Sequence, residues 1–167
     1  MSLTLILTRH AKSSWHDPAL DDFDRPLNDR GRRSAQRIGD WLTEQDLVPD
    51  EVIVSGARRT VDTWALISER LPTRAQMHSD PALYHASAPS MMAVARSGTQ
   101  PVLMIIGHNP GIAHFAAQIV HTSPAHADFD RYPTCATTVM QFAAENWKDI
   151  DWGQGRVQAF VVPKELA

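Results

Sequence analysis

Leu3-Thr4-Leu5-Ile6-Leu7-Thr8-Arg9-His10 is the stretch on which the fold reading turns. A short, continuous apolar run closed by polar residues reads as a strand buried on both faces. This one ends directly in a guanidinium and an imidazole. Two further runs do something similar: Val52-Ile53-Val54 leads into Ser55-Gly56-Ala57-Arg58-Arg59, and Val102-Leu103-Met104-Ile105-Ile106 leads into Gly107-His108. Ligands of an open parallel sheet bind outside the carboxyl ends of its strands. Three such ends would bring Arg9, His10, Arg59 and His108 to one place. Two guanidiniums and two imidazoles around a cavity suit a dianion, and a phosphoryl group above all. Taken singly, an arginine after a strand is ordinarily a solvated loop residue and a histidine a satisfied structural one. Their coincidence at three strand ends points to a site.

Between these strands the chain alternates. A polar loop, Ala11 to Leu27, carries four acids and two prolines, and a loop of that length in a compact domain tends to be functional. Asn28 to Leu47 reads as a helix with Asn28 or Asp29 as its cap and Ala35, Ile38, Trp41 and Leu42 on one apolar face. Ala57 to Leu71 reads as a second, with Val61, Trp64, Ala65 and Ile67 or Ser68 facing inward. Arg58 and Arg59 in its first turn oppose the helix dipole at about 0.3–1 kcal/mol each when exposed, yet the same place favours bound phosphate. Arg58 is taken as solvated. Met77 to Tyr84 holds a short strand or an irregular crossing, and Pro89 to Arg96 a short helix burying Met91, Met92 and Ala95. Asn109 suits an N-cap and Pro110 the first position of a helix reaching about His121. Thr137 to Phe142 and Val157 to Val162 read as strands. The order predicts an α/β fold, a three-layer α/β/α sandwich with a mostly parallel central sheet and an antiparallel edge strand near the C-terminus.

Composition narrows the function. The 167 residues fit one domain, 1–167, and a net charge of −3 argues against general nucleic-acid binding, which needs a basic face. The single cysteine, Cys135, leaves no internal disulfide and is expected to pack as a small apolar residue. The first apolar run, stopped by Arg9, is too short for a leader or a membrane span, so a cytoplasmic protein with no membrane partner is expected. His78, His85, His114, His121 and His126 are scattered without ligand spacing, so neither a metal nor a cofactor is expected. Gly107 to Gly111 lacks the Lys and Ser/Thr of a Walker loop, Gly153-Gln154-Gly155 is too little for a dinucleotide fingerprint, and Cys135 has no phosphate-loop arginine behind it.

The remaining chemistry is nucleophilic. A neutral imidazole can attack phosphorus and become a phosphohistidine, which splits hydrolysis into two easier steps. Neighbouring arginines disfavour an imidazolium, and a backbone carbonyl on the other ring nitrogen would fix the tautomer. Arginines and a second imidazole would stabilise the equatorial oxygens of the transferring group.

Arg9-His10-Ala11-Lys12-Ser13-Ser14-Trp15 resembles the Arg-His signature of the histidine phosphatase superfamily, with Ala after the His. Arg25-Pro26-Leu27-Asn28 with Gly31, then Ser55-Gly56-Ala57-Arg58-Arg59-Thr60-Val61-Asp62-Thr63, then Gly107-His108-Asn109-Pro110 resemble further motifs of that family in order. Tyr132-Pro133-Thr134-Cys135-Ala136 resembles a late segment of its SixA-type phosphohistidine phosphatase branch. The resemblance spans nearly the whole chain. It implies a phosphoglycerate mutase-like fold without a large cap domain and a phosphatase with His10 as nucleophile. Arg9, Arg59 and His108 would form the phosphate pocket, the register of the second motif selecting Arg59 over Arg58. Thr63 fits that motif in a structural role. Arg25 is open between lining the pocket mouth and anchoring the loop through a salt bridge.

Three functions follow. The first is a SixA-like phosphohistidine phosphatase acting on a phosphorylated protein. The second is a phosphomonoesterase for a small phosphorylated substrate, with Asp80 as general acid; Asp17, Asp22 and Asp24 are weaker candidates. The third is a non-catalytic phosphate-binding module. An alkoxide leaving group needs an acid, worth about 10²–10⁴ in rate, whereas a departing imidazole is easily protonated by solvent. The competing role for Asp80 is to cap a turn before Pro81.

Overall fold

The computed structural model describes residues 2–166. Six strands form one sheet: β1 (Leu3–Arg9), β2 (Glu51–Val54), β3 (Gln76–Ser79), β4 (Val102–Gly107), β5 (Thr137–Phe142) and β6 (Arg156–Val161), in spatial order β3-β2-β4-β1-β5-β6. The first four are mutually parallel. Four helices connect them: α1 (Asp29–Glu44), α2 (Arg58–Ser68), α3 (Ala88–Arg96) and α4 (Gly111–Ile119).

Alternation along the strands sorts the side chains into two cores. Leu5, Leu7, Ile53, Leu103 and Ile105 pack with residues of α3 and α4, while Ile6, Val52, Val54, Met104 and Ile106 pack with residues of α1 and α2. β1, β2 and β4 are therefore apolar on both faces, as the centre of a sheet covered by two helical layers requires. Among the described residues no helix is long and apolar enough to cross a membrane, and no cap domain stands over the sheet.

Three expectations change. The antiparallel strand is not at the edge: β5 lies inside the sheet, antiparallel to both β1 and β6, and β6 takes the edge in the same sense as β1. Burial explains the choice, since β5 is buried at all but Gln141 whereas β6 is half-exposed along its length. The inward face of α2 is Thr60, Thr63, Trp64, Leu66 and Ile67, with Ala65 exposed. Its threonines are buried because their hydroxyls donate to Ala57 O (2.8 Å) and Arg59 O (2.6 Å). Asn109 does not cap α4; its amide donates to the carbonyls of Arg131 (2.9 Å) and Tyr132 (3.0 Å) instead.

Asn28 does cap α1, its side chain accepting from Gly31 N at 2.8 Å. That first turn sits on the backbone just beyond β1: a Cβ added at Gly31 would lie 2.1 Å from Lys12 O. Only a glycine allows so close an approach. Gly31→Ala is expected to lower unfolding free energy by about 1–3 kcal/mol in urea denaturation, the usual range for overpacking against rigid neighbours. An unchanged midpoint would show that the turn can move away freely.

Candidate active site

Because β2, β4 and β1 are adjacent, their carboxyl ends bring Ser55, His108 and His10 side by side. His10 N donates to Gly107 O at 3.0 Å, tying the two histidine-bearing ends together, and the imidazole rings stand 5.2 Å apart. Arg9, His10, Arg25, Arg59 and His108 all line one cavity of about 400 Å³. The expected constellation is thus assembled, with His10 and His108 only 6% and 7% exposed at its floor.

The His10 ring has a defined tautomer. Its Nδ1 lies 2.7 Å from Ala11 O, and since a carbonyl can only accept, Nδ1 carries the hydrogen and Nε2 the lone pair. Burial, followed by the charges of His108, Arg9 and Arg59, pushes its pKa down to about 3. The loop after β1 is held from two sides. Ala11 N donates to Thr63 Oγ1 at 2.9 Å, which is the structural task of Thr63. Cys135 N donates to the carbonyls of Arg9 and His10, both at 3.1 Å. Tyr132 and Cys135 adopt positive φ of 50° and 62° to bring this segment across the end of β1. The Cys135 thiol is wholly buried and burial pushes its pKa up to about 12, consistent with an apolar packing role.

His108 Nε2 lies 2.6 Å from Ser55 Oγ, which also contacts Thr60 Oγ1 at 2.9 Å, while Nδ1 has no hydrogen-bond partner among the described residues. Burial, then Arg59, lowers its pKa to about 4. Arg9 Nη1 donates to Tyr132 O at 3.2 Å; its Nε is buried without a partner among the described residues. Burial and the neighbouring Arg59 both work against its charge. This is a cavity with excess positive potential and an unused donor in Arg9 Nε, a state that an entering oxyanion relieves.

One anion of the chain already reaches in. Asp22, in a short 3₁₀ turn (Asp22–Asp24) of the long loop, accepts from Arg59 Nη2 (2.9 Å), Arg25 Nη1 (2.8 Å) and the Tyr84 hydroxyl (2.5 Å). Its carbonyl accepts from Arg59 Nη1 at 2.7 Å. The tyrosine hydrogen bond, together with the two arginines, holds its pKa down at about 2, so at neutral pH it is a carboxylate with no proton to donate. Arg25 is spent on the loop: besides Asp22 it donates to Ser14 O at 3.1 Å and to Ser13 Oγ, and Trp15 stacks on its guanidinium at 3.3 Å. It forms cavity wall and loop anchor at once. Arg58 is exposed and pairs with Asp62 at 3.4 Å, outside the cavity.

Asp80 stands outside the cavity and takes the turn-capping role, not that of a cavity acid. Its carboxylate accepts from Ala82 N at 2.9 Å and caps the 3₁₀ turn Pro81–Leu83, and it is not among the residues lining the cavity. Its backbone N–H donates to Val54 O at 2.8 Å, which pins it beside β2 as a turn former. The residues that follow, Tyr84 and His85, approach the cavity in its place.

A basic cavity at the carboxyl ends of adjacent parallel strands, floored by a neutral histidine, defines an α/β protein built to hold an oxyanion. The chain belongs to the histidine phosphatase superfamily (branch 1), which residues 5–88 match. An uncharacterized protein of Mycobacterium tuberculosis is 32% identical over 163 residues, covering 93% of this chain and 99% of the relative. Among solved structures, one assigned as a phosphohistidine phosphatase SixA from Nakamurella multipartitia superposes with a TM-score of 0.80 at 25% identity, covering 98% of this chain and 97% of the other. A protein histidine phosphatase SixA complexed with tungstate superposes with a TM-score of 0.75 at 18% identity over 98% and 99% of the two chains, a likeness of fold.

Proposed function

We propose that the chain is a phosphohistidine phosphatase, a single histidine phosphatase domain spanning 1–167 that removes the phosphoryl group from a histidine of a cytoplasmic protein. The observation carrying this reading is the His10 tautomer: a neutral ring whose Nε2 lone pair is free, in a cavity with three arginines and a second neutral imidazole. Nε2 attacks phosphorus, the bond to the departing imidazole breaks, and phospho-His10 is then hydrolysed by water. Arg9, Arg59 and His108 bind the equatorial oxygens, where transition-state charge is spread.

Substrate class follows from the proton inventory. The acid of the cavity wall, Asp22, is ionised, so no carboxylic acid stands ready for an alkoxide. A leaving imidazole needs none from the protein. Among the described residues no cap domain covers the mouth, which suits a phosphohistidine presented on a protein surface. The test is parallel hydrolysis of a phosphohistidine-bearing protein and a panel of phosphoesters, with His10→Ala as control. Preferential, His10-dependent turnover of the phosphohistidine is expected. Phosphate binding without turnover of any substrate would replace this reading with that of a binding module.

A further inference from the structure

Lys12 and Thr134 line the catalytic cavity and also a second one of about 230 Å³, so the two cavities adjoin. The second has no part in the mechanism above, and its charge is one-sided. Lys12, Arg30, Arg131 and Lys164 stand there against a single carboxylate, Asp128. In a chain whose net charge is −3, so many cations around one concave place make a local positive potential.

The fold builds this cavity from three distant parts of the chain. Lys12 is fixed to the start of α1, because Asn28 N donates to Lys12 O at 3.0 Å and Gly31 packs on the same carbonyl. Arg30 lies in that same first turn. The other two cations are mounted on Asp128, whose side chain is only 8% exposed and accepts from Lys164 Nζ at 3.0 Å and from Arg131 Nη2. Asp128 is itself anchored, its N–H donating to His126 Nδ1 at 3.0 Å. One carboxylate thus steadies two long side chains that keep donors to spare. Lys12 and Arg30 pair with no carboxylate among the described residues.

We infer that the second cavity docks carboxylates of the substrate protein that flank its phosphohistidine, a role that rests on the phosphohistidine reading of the catalytic cavity. With the phosphoryl group over His10, a chain leaving past Lys12 and Thr134 enters the second cavity directly. Extended chain covers about 3.3 Å per residue, so side chains two to four positions from the phosphohistidine come within its reach. Glu or Asp at those positions makes charge-assisted hydrogen bonds to Arg30 and Lys164. A single concave pocket on a chain of net negative charge suits a short acidic segment and not a polynucleotide, which needs a basic face. The enzyme then selects among phosphohistidines by the charge of their neighbours.

Two synthetic phosphohistidine peptides test this, identical except for glutamates or glutamines at the positions two to four residues from the phosphohistidine on both sides. Wild type is expected to show about tenfold higher kcat/KM on the glutamate peptide at low ionic strength, a preference that salt erodes. Arg30→Glu keeps the fold, since an acid in the first turn of a helix is favourable. It should bring the ratio to about one or below while turnover of the glutamine peptide stays within about twofold, Arg30 lying outside the catalytic cavity. Arg32→Glu makes the same change of charge at an exposed position of α1 outside both cavities, and should keep most of the preference. A ratio near one in wild type, or equal losses in the two variants, would overturn the docking site and leave the phosphohistidine reading standing. No turnover of either peptide would end that reading instead. Fluorescence anisotropy of a labelled, unphosphorylated glutamate peptide then decides the cavity alone: binding lost in Arg30→Glu and kept in Arg32→Glu sustains it, and no binding or equal loss removes it.

Discussion

His10→Ala is expected to cut turnover by about 10⁴-fold or more while leaving a folded protein, the order of loss that follows removal of a nucleophile from a concerted site. The fold survives because the bonds that organise this strand end are made by the backbone: His10 N to Gly107 O, Cys135 N to the carbonyls of Arg9 and His10, Ala11 N to Thr63. The side chain adds a bond to Ala11 O and little else. Acid stability provides a second, independent readout. A histidine whose folded pKa lies near 3 binds fewer protons when folded than when unfolded at any pH between there and its ordinary value of about 6.5. Stability therefore rises with pH across that window and is lost as pH falls through it, by about 1.4 kcal/mol per unit for each such group. His108, near 4, acts in the same sense, and so does Asp22, whose depressed pKa makes its stabilisation disappear on protonation. Removing His10 removes one of these liabilities. The alanine variant, though inactive, should unfold at a lower pH than wild type when acid titration is followed by circular dichroism. An inactive variant that unfolds at higher pH would mean that His10 is not held neutral; near-normal activity would end the covalent mechanism altogether.

How far such a site can be read from sequence depends on the distance over which its parts are determined. The strands that carry Arg9, His10 and His108 are legible because burial on both faces forces unbroken apolar runs, and the polar residue ending each run is then a strand end by necessity. The position of β5 was not legible. Its place beside β1 is fixed by pairing across more than a hundred residues and by contacts such as Thr8 Oγ1 to Thr137 Oγ1 at 2.9 Å, between side chains that look like surface residues. The α2 face departs from its apolar pattern for a related reason: threonines that satisfy their hydroxyls on their own helix cost little to bury, so Thr60 and Thr63 displace the more apolar Ala65. Acids were the hardest. Sequence position left Asp80 open between a general acid and the cap of a turn before Pro81, and the cap, the N–H of Ala82 two residues on, absorbs its carboxylate. Asp22 lies 37 residues from Arg59 in a loop without periodicity, and its reach into the cavity depends on the folded loop alone. The run of acids in that loop was a signal, though not one that could tell Asp22 from Asp17 or Asp24.

Arg59→Ala against Arg58→Ala tests the register of the phosphate pocket. The two neighbours share a helix start and a charge, yet Arg59 is 6% exposed and points both terminal nitrogens into the cavity, where they meet Asp22, while Arg58 is turned to solvent and Asp62. When a phosphoryl group enters, Arg59 is the side chain already aimed at an anion. Its planar fork can hold two equatorial oxygens at once. A charge-assisted hydrogen bond of that kind contributes about 1.5–3 kcal/mol, so Arg59→Ala should weaken vanadate binding by about 10–100-fold. Its effect on kcat should be larger, about 10²–10³, because the charge on those oxygens grows toward the transition state. Arg59→Lys should recover part of the binding and less of the rate, since an ammonium supplies the charge without the fork. Arg58→Ala should change either quantity by less than about twofold, the exposed Arg58–Asp62 pair being a surface contact of small worth. Equal losses at the two positions would place the pocket arginine wrongly. A loss of binding with kcat intact would mean that Arg59 holds the ground state no less firmly than the transition state, and the differential stabilisation assigned to it would have to come from Arg9 and His108.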